Sequence, residues 1–89
     1  MRSERIEISN KLGLHARASA KLVELARQYR STVTLAKDHD AVDGKSILGL
    51  LMLAAAFGET IEVRAQGPDE EEAVGAIRDL FQRKFDEDE

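Results

Sequence analysis

The sequence predicts an α+β fold, an open-faced two-layer sandwich whose four-stranded antiparallel sheet carries three helices on one face. Two observations support this prediction. Four short segments alternate apolar and polar residues, as strands with one buried face do. Three further segments have apolar residues at helical spacing, and together the elements run in the order βαββαβα. Because 89 residues is a usual size for one domain, we expect residues 1–89 to form a single domain.

The first half of the chain supplies a strand, a helix and a hairpin. Alternation over residues 5–8 predicts the first strand, and the Gly-bearing segment 9–13 predicts a turn. A helix is expected from Ala16, because four apolar residues then fall on one face: Leu22, Leu25, Ala26 and Tyr29. The β-branched segment 32–37 and the short segment 41–43 predict two strands of a hairpin.

The second half supplies a helix, a strand and a final helix. A second helix is expected after residues 44–46 and before Gly58, with five residues facing inward: Ile47, Leu50, Leu51, Ala54 and Phe57. Alternation over residues 60–66 predicts the fourth strand. Asp69 and Glu72 have the spacing of a capping box, which predicts the start of the third helix. We expect the acidic tail after this helix to be frayed.

Composition and charge exclude several classes of protein. The chain has no Cys, which excludes disulfides and thiolate metal sites. It has no apolar run of the length that a membrane span needs, and its first twenty residues contain no long apolar run of the kind a signal peptide has. We therefore expect a cytoplasmic protein with no membrane partner. The first 45 residues have a net charge of +3 and the remainder −7, which fits either solvated surfaces or a basic face for an acidic protein partner. Scattered cations and only four aromatic residues argue against nucleic acid binding.

One histidine stands at a position with chemical consequences. His15 is expected at or just before the first residue of the first helix, where backbone N–H groups are unpaired and attract anions. Arg17 adds a guanidinium suited to phosphate oxygens. A neutral imidazole is a nitrogen nucleophile near pH 7, so the pair could accept a phosphoryl group. Alternatively, His15 only caps the helix and Arg17 is an ordinary surface residue.

Two motifs favour the chemical interpretation. The segment GLHARASAKL resembles the active-site signature of the HPr family, the histidine-containing phosphocarriers of the bacterial phosphoenolpyruvate-dependent phosphotransferase system. The segment DGKSILGLLMLAA resembles the second-helix motif of that family. Two departures stand out: Ala18 replaces the usual Pro, and Ser19 replaces the usual Ala, where we expect it to face solvent or the helix start. Neither departure removes a group that phosphoryl transfer needs.

The resemblance implies a role for each matching residue. His15 would take a phosphoryl group on its pros nitrogen, Nδ1, from Enzyme I and pass it to an EIIA-type protein, while Arg17 steadies the phosphate. The protein would then be a stoichiometric carrier, not an enzyme, and a monomer without cofactor or metal. Ser46 matches the regulatory serine of the family, which an HPr serine kinase/phosphorylase phosphorylates in many relatives; from the sequence alone it is equally a helix cap.

A surface for these partners is expected around the same two helices. Its residues are Leu14, Ala18, Lys21, Lys45, Ile47, Leu48 and Leu51. The apolar members could equally be ordinary helix packing. The main alternative function is a regulatory protein-interaction module that Ser46 phosphorylation switches. A metal site at His39 is not expected, because a solvated hairpin turn accounts for it. Acidic segments similar to those of nitrogen-related carriers (NPr) leave the sugar-transport and regulatory branches both open.

Overall fold

The computed structural model describes residues 1–87. Its four strands are β1 (Arg2–Glu7), β2 (Thr32–Lys37), β3 (Asp40–Asp43) and β4 (Thr60–Gln66). Its helices are α1 (Ala16–Ala26), α2 (Ile47–Leu53) and α3 (Glu70–Gln82), followed by a short C-terminal turn (Lys84–Asp86). The strands form one antiparallel sheet in the order β1-β4-β2-β3. The predicted fold class and element order are confirmed. That residues 1–89 form a single domain stays a prediction.

The core lies between one face of the sheet and the three helices. On that face, β4 places Val63 beside Leu35 of β2 and Ile61 beside Ile6 of β1, and all four side chains are buried. The residues between them along each strand are more exposed, as the two-residue period of a strand requires. Burial of apolar side chains on this one face is the main source of stability.

Helix α2 is shorter than the sequence indicates, and the structure corrects its inward face. The helix ends at Leu53, because the next residue, Ala54, adopts the left-handed conformation (φ 53°). Only Leu50 and Leu53 are buried, one helical turn apart. The expected core residues Leu51 and Phe57 are 40% and 61% exposed. Ile47, at 43%, is likewise a surface residue, since this short helix buries only a narrow stripe against the sheet and α1.

The capping box predicted at the start of α3 is wrong. Asp69 does occupy the cap position, but its carboxylate makes no capping hydrogen bond. Instead it accepts hydrogen bonds from the backbone N–H of Arg30 (2.9 Å), the backbone N–H of Ser31 (2.9 Å) and the Ser31 hydroxyl (2.5 Å). Asp69 therefore ties the start of α3 to the loop between α1 and β2, a long-range role that local spacing cannot reveal.

The expected fraying after α3 is wrong for the residues that the structure describes. Phe85 is fully buried, and its ring packs edge-on against Phe81 with centroids 4.8 Å apart. Three successive residues, Lys84, Phe85 and Asp86, have φ between 55° and 60°, so the chain turns sharply back across the helices. Left-handed backbone is unfavourable for residues other than Gly, and the burial of Phe85 offsets that cost. Residues 88–89, the rest of the expected frayed tail, lie outside the described residues.

The Asp69 contacts predict a pH-dependent contribution to stability. The Ser31 hydroxyl and then the Arg30 amide hold the pKa of Asp69 below its ordinary value. Because the folded-state pKa is the lower one, this stabilisation is complete above the unfolded-state pKa of about 3.9 and is lost as the pH falls through the folded-state pKa. We therefore expect Asp69→Asn to lower the urea midpoint at neutral pH, with a difference that shrinks in acid.

Asp79→Asn is the matched control, because Asp79 is an exposed α3 carboxylate whose partner is the adjacent Arg78. Its urea midpoint should stay close to that of the unchanged chain at neutral pH. A midpoint for Asp69→Asn that equals the control, or a difference that does not vary with pH, contradicts the proposed role of the Asp69 carboxylate.

Candidate functional site

His15 occupies the N-cap of α1, as the sequence predicts. Its backbone is extended (φ −73°, ψ 178°), and its carbonyl oxygen accepts the first helical hydrogen bond from the Ser19 N–H at 2.8 Å. The imidazole makes no capping hydrogen bond. Capping is therefore a matter of backbone position alone, and the ring, 26% exposed, is left for other interactions.

The turn before His15 is fixed by its contact with the loop that follows α2. The Leu14 N–H donates to the Ala55 carbonyl at 3.0 Å. Gly13 has φ +61°, and a Cβ at this position would lie 2.6 Å from the same carbonyl oxygen, so a larger residue does not fit. Asn10, fully buried, closes the turn by donating from Nδ2 to the Gly13 carbonyl at 2.8 Å. Together these contacts fix the position of the His15 backbone relative to the core.

The structure corrects two residues of the expected partner surface and one further expectation. Leu14 is 4% exposed and Ala18 is fully buried, so neither side chain is available to a partner. Both anchor the start of α1 to the core. Ser19 does not face solvent; it is fully buried, and its hydroxyl donates to the Leu14 carbonyl at 3.1 Å. The small residues at positions 18 and 19 thus allow α1 to begin close to the core.

Arg17 lies in the first turn of α1 with its side chain exposed. Within residues 1–87 its guanidinium has no hydrogen bond or ion pair. The first backbone N–H groups of an α-helix also lack partners within the helix, and the helix dipole makes this end attractive to anions. The sequence-predicted pair, His15 and Arg17, therefore shares one helix end, where an anion held near the imidazole has donors available.

The C-terminal segment reaches the same site, which sequence reasoning missed. A Glu87 carboxylate oxygen, Oε2, contacts Nε2 of His15, and Oε1 accepts a hydrogen bond from Asn10 Nδ2 at 3.2 Å. A cavity of about 770 Å³ is lined by His15, by cationic Arg17 and Lys21, and by Glu87. The only local signal was apolar Phe85 beyond the last helix, and it does not reveal where the segment goes.

Ser46 is the N-cap of α2, which confirms its structural role. Its hydroxyl oxygen accepts a hydrogen bond from the Gly49 N–H at 3.0 Å. A Cβ at Gly49 would lie 3.3 Å from that oxygen and 3.4 Å from the Val42 side chain, so the helix start packs closely against β3. The serine is partly exposed, and the capping bond leaves the hydroxyl hydrogen free to point elsewhere.

An apolar surface patch lies on α2, next to the loop that carries His15. We call it the α2 patch, and its members are Ile47, Leu48, Leu51 and Met52, exposed by 40–73%. Two half-buried lysines hold fixed positions around it and α1. Lys45 donates to the Tyr29 carbonyl at 2.8 Å, and Lys21 donates to the Phe85 carbonyl at 2.7 Å. The structure thus presents an apolar patch on α2, with Lys45 just before that helix and Lys21 on α1.

His39 is exposed at the β2–β3 turn, and residues 1–87 contain no group of three His, Cys, Asp or Glu residues that could hold a metal ion. None of the helices in this part of the chain is long and apolar enough to cross a bilayer.

Comparison with known proteins assigns the family. Residues 2–83 match the family described as "PTS HPr component phosphorylation site". The chain is 52% identical over 89 residues, covering 100% of both chains, to the phosphocarrier protein HPr of Neisseria meningitidis. It is 49% identical over 84 residues, covering 93% of each, to the phosphocarrier protein NPr of Klebsiella oxytoca.

A solved structure gives the same assignment. The crystal structure of an HPr from Thermoanaerobacter tengcongensis superposes with a TM-score of 0.96 at 42% identity and covers 100% of both chains. The similarity therefore extends over the sequence, the sheet and all three helices. The chain belongs to the HPr family of phosphocarrier proteins of the phosphotransferase system.

Proposed function

We propose that this chain is a stoichiometric carrier that accepts a phosphoryl group on Nδ1 of His15 and donates it to a second protein. The observation that carries the proposal is the imidazole at the N-terminus of α1, in the same helix start as the Arg17 guanidinium, which no residue among 1–87 pairs with. Among residues 1–87, the cavity beside His15 is not a closed substrate pocket. This supports the proposal that the second reactant is the active site of another protein, with the chain acting as a carrier and not as an enzyme.

The proposed step needs no proton transfer. The Nδ1 lone pair of a neutral His15 attacks the phosphorus of a phosphohistidine on the donor protein. The donor P–N bond breaks, its imidazole leaves with the electron pair, and a new P–N bond forms at Nδ1. Because Nε2 keeps its proton, the His15 ring gains positive charge. Transfer to an acceptor histidine is the same step in reverse.

Arg17 and the first amides of α1 stabilise the moving phosphoryl group. Phosphoryl transfer depends mainly on positioning and on compensation of charge at the phosphoryl oxygens. The Arg17 guanidinium can offer two parallel N–H donors to two of these oxygens. Since no residue among 1–87 engages it, no existing ion pair has to break before the phosphate binds.

The partners we propose follow from the family. The donor is Enzyme I, charged by phosphoenolpyruvate, and the acceptor is an EIIA-type protein, both in the cytoplasm. The chain acts as a monomer. The α2 patch supplies apolar contact area, and Lys21 and Lys45 favour acidic rims on both partners. Leu14 and Ala18 contribute by holding the surface in place from below.

Transfer from Enzyme I tests the proposal. With radiolabelled phosphoenolpyruvate and a competent Enzyme I, the unchanged chain should gain an acid-labile phosphate and His15→Ala should gain none. We expect Arg17→Ala to be slower by about ten- to a hundredfold, the effect of losing charge-assisted hydrogen bonds.

Two variants serve as controls for that assay. His39→Ala removes the other histidine, and Arg5→Ala removes an exposed cation from β1; both should accept phosphate at the rate of the unchanged chain. Labelling that survives in His15→Ala would refute the proposed acceptor. No transfer at all would favour the regulatory interaction module instead.

We further propose that phosphorylation of Ser46 regulates this carrier through charge. A phosphate would add roughly −1.5 to −2 charge at the start of α2, where a helix tolerates anions. The fold should therefore persist, while an acidic partner docking on the α2 patch would be repelled. An HPr serine kinase/phosphorylase in the same cell would be the modifying partner.

Two substitutions separate charge from capping at this position. Asp and Asn both cap helices well, so Ser46→Asp adds a charge while Ser46→Asn does not. We expect Ser46→Asp to slow transfer from Enzyme I by roughly tenfold or more, about the cost of one unfavourable charge at an interface, and to keep its far-UV CD spectrum. Ser46→Asn should transfer normally. Equal rates for the two variants, or a loss of helix in Ser46→Asp, would contradict the charge mechanism.

A further inference from the structure

We propose that Glu87 is a positioning residue: its carboxylate holds His15 with the proton on Nε2, which leaves the lone pair on Nδ1. This inference rests on the proposed function of His15. It assigns to the C-terminal segment a part in the transfer chemistry, although that segment lies 72 residues from His15 in sequence.

The donor and acceptor roles of the two side chains determine which nitrogen of the His15 ring carries the proton. An ionised carboxylate can only accept hydrogen bonds, whereas a neutral imidazole has one donor nitrogen and one acceptor nitrogen. Because Glu87 Oε2 contacts Nε2, that nitrogen must be the donor. No described residue hydrogen-bonds to Nδ1, so its lone pair is available to an incoming phosphorus atom.

The carboxylate itself is held in place. Its second oxygen, Oε1, accepts a hydrogen bond from Asn10 Nδ2, and the same amide group donates to the Gly13 carbonyl. Asn10 is fully buried in the turn before His15. The same amide group therefore holds both the turn that carries the imidazole and the Glu87 carboxylate. The Glu87 side chain is only 13% exposed, so water competes weakly for its oxygens.

Tertiary contacts hold the turn before Glu87 in place. Phe85 is fully buried against Phe81, and its carbonyl accepts a hydrogen bond from Lys21 Nζ. Arg83 pairs with Asp86 at 3.2 Å, an exposed contact on the outer side. The Phe85 packing and the Lys21 hydrogen bond hold three left-handed residues in a row, so the chain places Glu87 against the imidazole.

The same contact stabilises the product of transfer. When phosphorus bonds to Nδ1 while Nε2 keeps its proton, the ring becomes cationic. A carboxylate at Nε2 then interacts with an opposite charge, and a charge-assisted hydrogen bond is stronger than a neutral one. Glu87 occupies the Nε2 edge of the ring and leaves the Nδ1 edge to the phosphoryl group, so the two do not compete for one site.

NMR of the isolated protein tests the tautomer directly. In ¹⁵N-labelled protein at alkaline pH, the unchanged chain should show the Nε2–H tautomer with a slowly exchanging ring proton. In Glu87→Ala the minor Nδ1–H population should rise roughly tenfold, the ratio that loss of one part-exposed charge-assisted hydrogen bond produces. A purely structural role for Glu87 would leave this ratio unchanged.

Asp86→Ala is the matched control, because it removes the same charge from the same turn at a side chain that is 58% exposed. It should keep the Nε2–H tautomer and the transfer rate of the unchanged chain. Acceptance from Enzyme I should be roughly tenfold slower in Glu87→Ala than in Asp86→Ala, the kinetic counterpart of the same lost hydrogen bond.

Three results would overturn the proposal: an unchanged tautomer ratio in Glu87→Ala, an unchanged transfer rate, or a faster one, since faster transfer would make the tail an inhibitor. The NMR measurement requires no partner protein. It therefore decides the role of Glu87 even if the unchanged chain accepts no phosphoryl group, an outcome that would refute only the function proposed for His15.

Discussion

The hydrogen bond from the Leu14 N–H to the Ala55 carbonyl joins the loop before α1 to the loop after α2, and the functional surface depends on it. Gly13 permits the close approach, and Leu14 and Ala18 fill the core directly beneath. The helix that presents His15 and the helix that presents the α2 patch thereby become one rigid surface. A partner that docks on α2 as proposed would therefore meet the imidazole at a fixed place.

Most of the fold followed from periodicity, because the strands of an open-faced sheet alternate plainly. Helix α2 was the exception. Its length was overestimated because the left-handed conformation of Ala54 has no signature in an Ala-rich sequence. For the same reason Leu51 was expected in the core, whereas the structure buries Leu53 instead. The residue at which the helix ends determines which of its faces packs against the core. Asp69 was misassigned for a related reason: its real partners, Arg30 and Ser31, come from another loop.

The residues of the site likewise fall into two groups: some are positioned by the local sequence and others by long-range contacts. His15, Arg17 and Ser46 could be located from sequence because their roles depend on helix starts, which short motifs mark. Glu87 and Asn10 could not, because their meeting at the imidazole requires the left-handed turn at residues 84–86 and the burial of Phe85. Ala18, in place of the family's usual Pro, lies fully buried in the first turn of α1.

In the proposed carrier, phosphate bonds to Nδ1 of His15 while Nε2 stays protonated against Glu87. The most direct measurement is ¹⁵N and ³¹P NMR of the chain labelled in its histidine rings and phosphorylated by Enzyme I. The account predicts phosphorus–nitrogen coupling at Nδ1 of His15 and a protonated Nε2. Coupling at Nε2 instead would mean that the carboxylate is displaced during transfer, and it would contradict the account.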